Sequence, residues 1–222
     1  MPAPADDPHR DQPVLTTGAP LADARGAMIM LHGRGAGAAD IVGLAQVIER
    51  AGLANLAPDA AGRVWYPQRF MSPIVQNEPY LTSALAVVAH LVGHVAAGGI
   101  PMERIAILGF SQGACLGLEF VARNPRRYGA VLALSGGLIG DRVDAAKYTG
   151  SLAGTPVFAG VSDVDPHIPL SRVEESMAVM RALGGEVMQR VYPGAPHTIV
   201  ADEIAIVQRL VDGMIGAAPK AA

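Results

Sequence analysis

Arg104-Ile105-Ala106-Ile107-Leu108-Gly109-Phe110-Ser111-Gln112-Gly113 runs from an apolar stretch into a serine flanked by glycines. Ile105 to Leu108 reads as a buried strand, and Ser111 to Arg123, stopped by Asn124-Pro125, reads as a helix. A Gly-x-Ser-x-Gly at such a junction has the form of a nucleophile elbow. The turn is too tight for side chains at Gly109 and Gly113, and it lifts the Ser111 hydroxyl clear of the backbone. The helix N-terminus also sets N–H dipoles where negative charge would develop. The plainer reading of the same residues is a serine N-cap beside a tight turn.

Outward from this junction, short apolar runs alternate with helical stretches. Before it lie strands at 27–31 and 53–57 and helices at 38–51 and 78–97. After it come strands at 128–134, 155–161 and 186–192 and helices at 170–183 and 198–215. That rhythm predicts βαβ units, hence an α/β fold with a mostly parallel central sheet and helices on both faces. Residues 135–154 are too few for a cap domain. The expected organisation is a flexible N-terminal tail (1–13), a single α/β domain (14–216) and a loose C-terminal end (217–222).

Composition narrows the function classes. Of 222 residues half are hydrophobic and 17% are charged, enough apolar matter for a sizeable core. Seventeen Lys and Arg against twenty Asp and Glu leave a net charge of −3, the wrong sign for a general nucleic-acid binder. The single cysteine, Cys115, excludes an intrachain disulfide framework and a cysteine-based zinc site. Residues 1–13 are polar and proline-rich, unlike an export signal. The apolar stretch 84–100 is interrupted by His90, His94 and glycines, so it reads as a core-packed helix rather than a stable membrane insertion. The expectation is a cytoplasmic protein.

A serine hydroxyl is a weak nucleophile and needs an adjacent base. Of six histidines, His197 lies in the loop Pro193-Gly194-Ala195-Pro196-His197, between the last strand and the closing helix, where this topology delivers a base to the strand tips. His167 is a second contender. His32, in a glycine loop, reads as a brace for that loop, and His9 lies in the tail. His90 and His94 sit four apart with no third ligand, so no metal is expected. The base in turn needs a carboxylate, and chain order puts it between 111 and 197, just after a strand. Asp165 is favoured there; Asp163 is the runner-up, with hydrogen bonding to loop amides as its other reading. Asp141 and Asp144 read as solvated. An oxyanion hole would take the N–H of Gln112 and an N–H from Leu31-His32-Gly33-Arg34-Gly35-Ala36-Gly37, here assigned to Arg34. The spacing of those glycines does not match a dinucleotide loop.

Together, Leu31-His32-Gly33, Gly109-Phe110-Ser111-Gln112-Gly113, Asp165-Pro166-His167-Ile168-Pro169 and Pro193-Gly194-Ala195-Pro196-His197 resemble the phospholipase/carboxylesterase family of α/β-hydrolases. This group of small, cap-less serine esterases includes acyl-protein thioesterases and lysophospholipases. The likeness extends over about 26–211. It implies Ser111 as nucleophile, Asp165 as acid, His197 as base, and the Arg34 and Gln112 backbone as oxyanion hole. It implies no cofactor, a small-molecule ester substrate (the classes include a lysophospholipid or a thioester), and a monomer or homodimer. The missing cap predicts an open site suited to short or medium acyl chains.

The sequence departs from the thioesterase-type members in two places. Those usually carry His-Gly-Leu-Gly-Asp and Trp-Phe-Asp where this chain has His32-Gly33-Arg34-Gly35-Ala36 and Trp65-Tyr66-Pro67. Both departures fall on substrate choice rather than on hydrolysis. Trp65 reads either as an apolar wall for substrate or as part of a loop folded onto the core. Arg34 and Arg69 read either as recognition of an anionic group or as ordinary surface charge. Cys115 reads as a small core residue. Other readings are an acyltransferase or perhydrolase with the same three residues, a dienelactone-hydrolase-like activity, and a non-catalytic binding module. For a hydrolase, activity should decline toward acid pH, because the base must be neutral.

Overall fold

The computed structural model describes residues 7–216. Seven strands form one sheet: β1 (Val14–Gly18), β2 (Gly26–Leu31), β3 (Leu53–Pro58), β4 (Ile105–Phe110), β5 (Ala130–Leu134), β6 (Pro156–Ser162) and β7 (Glu186–Tyr192). Their spatial order is β1-β3-β2-β4-β5-β6-β7. Only β1 is antiparallel to its neighbour; every other pairing is parallel. This is the α/β fold that the alternation predicts.

The inner strands are short apolar runs because both of their faces are covered. In β2, Ala27, Ile29 and Leu31 join a core layer with helices α2 (Tyr80–Ala97), α3 (Gln112–Arg123) and α4 (Leu170–Ala182). The alternate residues Met28 and Met30 face the second layer, made with α1 (Ala38–Ile48) and α5 (Ala201–Ile215). One strand thus feeds two cores through its two-residue period.

Helix α2 is long and apolar enough to cross a membrane by length and composition alone. Here Leu81, Ala84, Val88, Leu91, Val92 and Val95 are buried at helical spacing in the core. His90 and His94 stack on its exposed side, with ring centroids 6.5 Å apart.

Two expectations need correction. Strand β1 has no counterpart in the sequence reading; its residues are mostly exposed and it pairs with β3 alone. A one-sided edge strand leaves little apolar signal to read. The expected tail is also packed over its described part. His9 is 1% exposed, its backbone N–H donates to Ser83 Oγ at 2.9 Å, and its ring sits against Trp65 and Tyr80. Residues 1–6 of that tail and the expected loose end 217–222 lie outside the described residues.

Because β2, β4, β6 and β7 run parallel, the loops that follow them all leave the same edge of the sheet. That edge gathers His32-Gly33-Arg34, Ser111, Asp165 and His197 from four distant parts of the chain.

Candidate active site

Ser111 occupies the turn between β4 and α3 with φ 54° and ψ −117°, a strained conformation for a residue with a side chain. Its N–H donates to the Leu134 carbonyl at 2.9 Å, and its carbonyl accepts from Cys115 N–H at 3.0 Å. The glycines on either side are sterically required. A Cβ at Gly109 would stand 2.4 Å from the Gly113 backbone, and one at Gly113 would stand 2.1 Å from the Leu31 carbonyl oxygen. Crowding against the first turn of α3 at Gly109 and against the end of β2 at Gly113 therefore explains why this serine sits between two glycines.

His197 Nε2 lies 2.9 Å from Ser111 Oγ, and His197 Nδ1 lies 2.6 Å from Asp165 Oδ2. An ionised carboxylate only accepts, so the proton is assigned to Nδ1. That leaves Nε2 bare, to accept from the serine hydroxyl. The Asp165 side chain is fully enclosed while that of His197 keeps 18% exposure. Oδ1 of Asp165 accepts from the N–H groups of His167 at 2.8 Å and Ile168 at 3.0 Å. Burial works against its charge, but the hydrogen bonds from His197, His167 and Ile168 outweigh it and hold the carboxyl below its ordinary range. Pro166 and Pro169 shape the loop that aims these two N–H groups at one oxygen.

The runner-up residues fall elsewhere. Asp163 is exposed and accepts from Gly194 N–H at 2.8 Å, tying the loop after β6 to the loop that carries His197. The His167 ring packs edge-on against His197 at 5.0 Å, and Phe110 lies at 5.0 Å from the same imidazole. Phe110 and His167 thus confine the His197 ring. The only sign of this role for Phe110 in the sequence is its place beside Ser111.

Facing Ser111 is the loop after β2. A Cβ on Gly33 would stand 3.3 Å from the Phe110 ring and 3.5 Å from Ser111 Cβ, so the loop backbone passes within van der Waals reach of the serine. Among the described residues, neither Arg34 N–H nor Gln112 N–H has a hydrogen-bond acceptor, and both residues border the cleft beside Ser111. The first N–H groups of a helix have no partner within it, which leaves that of Gln112 available. His32 braces the loop. Its Nε2 accepts from Ala60 N–H at 3.1 Å, so Nδ1 carries the proton and donates to the Gly33 carbonyl at 2.8 Å. Burial lowers its pKa, in keeping with a neutral ring.

The cleft over Ser111 has a volume of about 340 Å³. Trp65, offered in the sequence reading as a substrate wall, does not border it. Trp65 is fully buried, with its indole N–H donating to the His32 carbonyl at 2.9 Å and its ring against His32 and His9. The apolar wall is built instead by its neighbours Tyr66 and Phe70.

This irregular segment is held by side chains that satisfy its backbone. Gln112 Oε1 accepts from Trp65 N–H at 3.0 Å, and its Nε2 donates to the Tyr66 carbonyl at 2.8 Å. His9 Nδ1 accepts from Ala61 N–H at 3.0 Å, and its Nε2 donates to the Trp65 carbonyl at 2.9 Å. A brace of this kind leaves no trace in residue spacing, so neither role is legible in the sequence. Cys115 forms part of the cleft floor; burial pushes its thiol up to about 12, the mark of an unreactive core group. Among the described residues no cluster of three or more His, Cys, Asp or Glu is arranged to hold a metal ion.

Known proteins resemble the chain in sequence and in fold. The phospholipase/carboxylesterase family model matches residues 15–215. A solved phospholipase/carboxylesterase from Dyadobacter fermentans shares 46% identity at a TM-score of 0.88, over 90% of this chain and 96% of that one. The acyl-protein thioesterase 1 of Gibberella zeae is 33% identical over 108 residues, 48% of this chain and 46% of the relative. That of Saccharomyces cerevisiae is 33% identical over 109 residues, 48% of each. The chain spans about half the length of the curated relatives it matches.

Proposed function

The chain belongs to the phospholipase/carboxylesterase family, and from that premise we propose that it is a serine hydrolase cleaving carboxylic esters or thioesters through an acyl-Ser111 intermediate. One observation carries the reading: an unbroken line of hydrogen bonds from Asp165 through His197 to Ser111, at 2.6 Å and 2.9 Å.

In this proposal the Ser111 hydroxyl attacks the acyl carbonyl as His197 Nε2 takes its proton. Asp165 holds the imidazole in the required tautomer and stabilises the imidazolium. The oxyanion is received by the free N–H groups of Arg34 and Gln112, donors in place before charge develops. Collapse expels the alcohol or thiol, which leaves with the proton from His197. Water then gives a proton to His197 and attacks the acyl-serine, releasing the acid and restoring the hydroxyl. The strained backbone at Ser111 and the glycines around it serve this chemistry by presenting Oγ rather than hiding it. The same proposal takes 14–216 as the catalytic unit, acting in the cytoplasm as a monomer or homodimer on small-molecule substrates.

The test pairs a fluorophosphonate probe with a chain-length series of 4-nitrophenyl esters and matching thioesters. The expected result is labelling at Ser111, lost in Ser111→Ala, with hydrolysis lost in parallel. Labelling at another residue, or turnover retained in Ser111→Ala, would overturn the assignment.

A further inference from the structure

Two arginines border the cleft, and no Asp or Glu does. On a chain of net charge −3 this is a local reversal of sign. Arg10, Arg50, Arg123 and Arg172 each meet a carboxylate, whereas eight further arginines meet none among the described residues, so what sets the cleft pair apart is their place beside Ser111. Arg34 and Arg69 meet none among the described residues, and the Arg69 side chain has no hydrogen-bond partner there either.

Arg34 is fixed in place by neutral groups. Its guanidinium donates to the carbonyls of Tyr66 at 2.9 Å, Pro67 at 3.0 Å and Gln68 at 2.5 Å. These three bonds use three of its five N–H donors and cancel none of its charge. The result is an oriented cation with two donors to spare at the rim of the cleft. A freely mobile surface arginine would be solvated and averaged over rotamers; this one has already given up its side-chain freedom. The Tyr66 hydroxyl, on the cleft wall, is buried against the Cys115 side chain.

We infer that the cleft selects esters carrying a carboxylate near the scissile bond, held by Arg34 and Arg69. The inference rests on the esterase reading and names its substrate class. The shared chemistry is a carboxylate, which can belong to the acyl part, as in a dicarboxylic half-ester, or to the leaving group. Guanidinium is suited to either, since its fork matches a carboxylate and its charge acts across the mouth of an open cleft.

The test has two arms, with spontaneous hydrolysis subtracted in each. The first compares the 4-nitrophenyl half-ester of adipate with 4-nitrophenyl hexanoate. The second compares 4-(butanoyloxy)benzoate with its methyl ester. In at least one arm the anionic member should be preferred by about tenfold or more in kcat/KM at low ionic strength, with the ratio falling as salt is added. Arg69→Gln should lower that ratio about fivefold, and Arg34→Gln should lower it further while also disturbing the loop it holds. Because each ratio is taken within one preparation, partial unfolding of a variant cancels out. Equal or reversed preference in both arms overturns the inference, as does a preference that Arg69→Gln and salt leave untouched. Either result leaves the esterase reading intact if the neutral esters are turned over and Ser111 is labelled. Failure of all four esters, with no labelling at Ser111, would instead sink the esterase reading itself.

Discussion

Replacing Asp165 by asparagine changes one atom and should disable the site. The Asn side-chain oxygen would still accept from the N–H groups of His167 and Ile168, which now approach Oδ1 at 2.8 Å and 3.0 Å. Those two bonds fix which way the amide faces. They place its NH₂ where Oδ2 stands now, 2.6 Å from His197 Nδ1. A donor there forces Nδ1 to accept, so the ring proton moves to Nε2. Nε2–H then points at Ser111 Oγ and has no lone pair to receive the serine proton. Loss of the base through the wrong tautomer costs about 10⁴-fold in kcat, or about 5.5 kcal/mol of transition-state stabilisation. Initial rates at saturating 4-nitrophenyl butyrate measure this, with thermal unfolding followed alongside to show that the loop survives. A fall of less than tenfold in a variant with the wild-type melting temperature would refute the reasoning. It would mean that His197 is oriented by something else, or that His167 is the base.

Glu203, 1% exposed at the start of α5, has its carboxyl pushed up to about 7 by burial, against a hydrogen bond from Val200 N–H at 2.9 Å. The folded state therefore binds this proton more tightly than the unfolded chain, and stability declines as pH rises from about 4.5 to about 7. Glu203→Gln keeps an acceptor for Val200 and removes the charge. It should raise the melting temperature by about 5–10 °C at pH 8 and by little at pH 5, for an upper bound of about 3 kcal/mol; equal shifts at both pH values would contradict this. Asp165 works in the opposite direction: its depressed pKa contributes stability at neutral pH that is lost as acid protonates it. Gly113→Ala should destabilise by about 3 kcal/mol in urea titration, since the new methyl meets the Leu31 carbonyl oxygen at 2.1 Å and backbone cannot step aside. Gly93→Ala, on the open face of α2 with no atom within 4 Å of the added methyl, should instead stabilise by about 0.5–1 kcal/mol; the pair fails if both variants move the same way.

Much of this architecture was readable from periodicity. Strands such as β2 and β4, buried on both faces, declare themselves as unbroken apolar runs, and glycines or prolines mark where helices stop. Ser111, Asp165 and His197 could be named because parallel strands fix the edge at which their loops emerge, and the structure brings the three together. What escaped has a physical pattern too. Strand β1 is an exposed edge whose side chains carry no burial signal. His9 and the amide of Gln112 act by completing hydrogen bonds of a segment far away in sequence, and such partnerships have no spacing to detect. Trp65 drew attention by its size, yet size favours the core as readily as a cleft. Its indole N–H found the His32 carbonyl, and the neighbouring Tyr66 and Phe70 took the wall.

The Gln112 side chain has a further consequence. This residue borders the cleft beside Ser111, and through its amide it grips the stretch that walls the cleft. In the proposed mechanism, turnover and selectivity are thereby joined at a single position. A substitution that shifts the backbone at Trp65 or Tyr66 would be transmitted to the rim beside Ser111, whereas changes at Phe70 or Arg69 fall outside that grip. Directed evolution of this scaffold should accordingly accumulate its tolerated substitutions on the outer part of the segment and avoid the two residues that Gln112 holds.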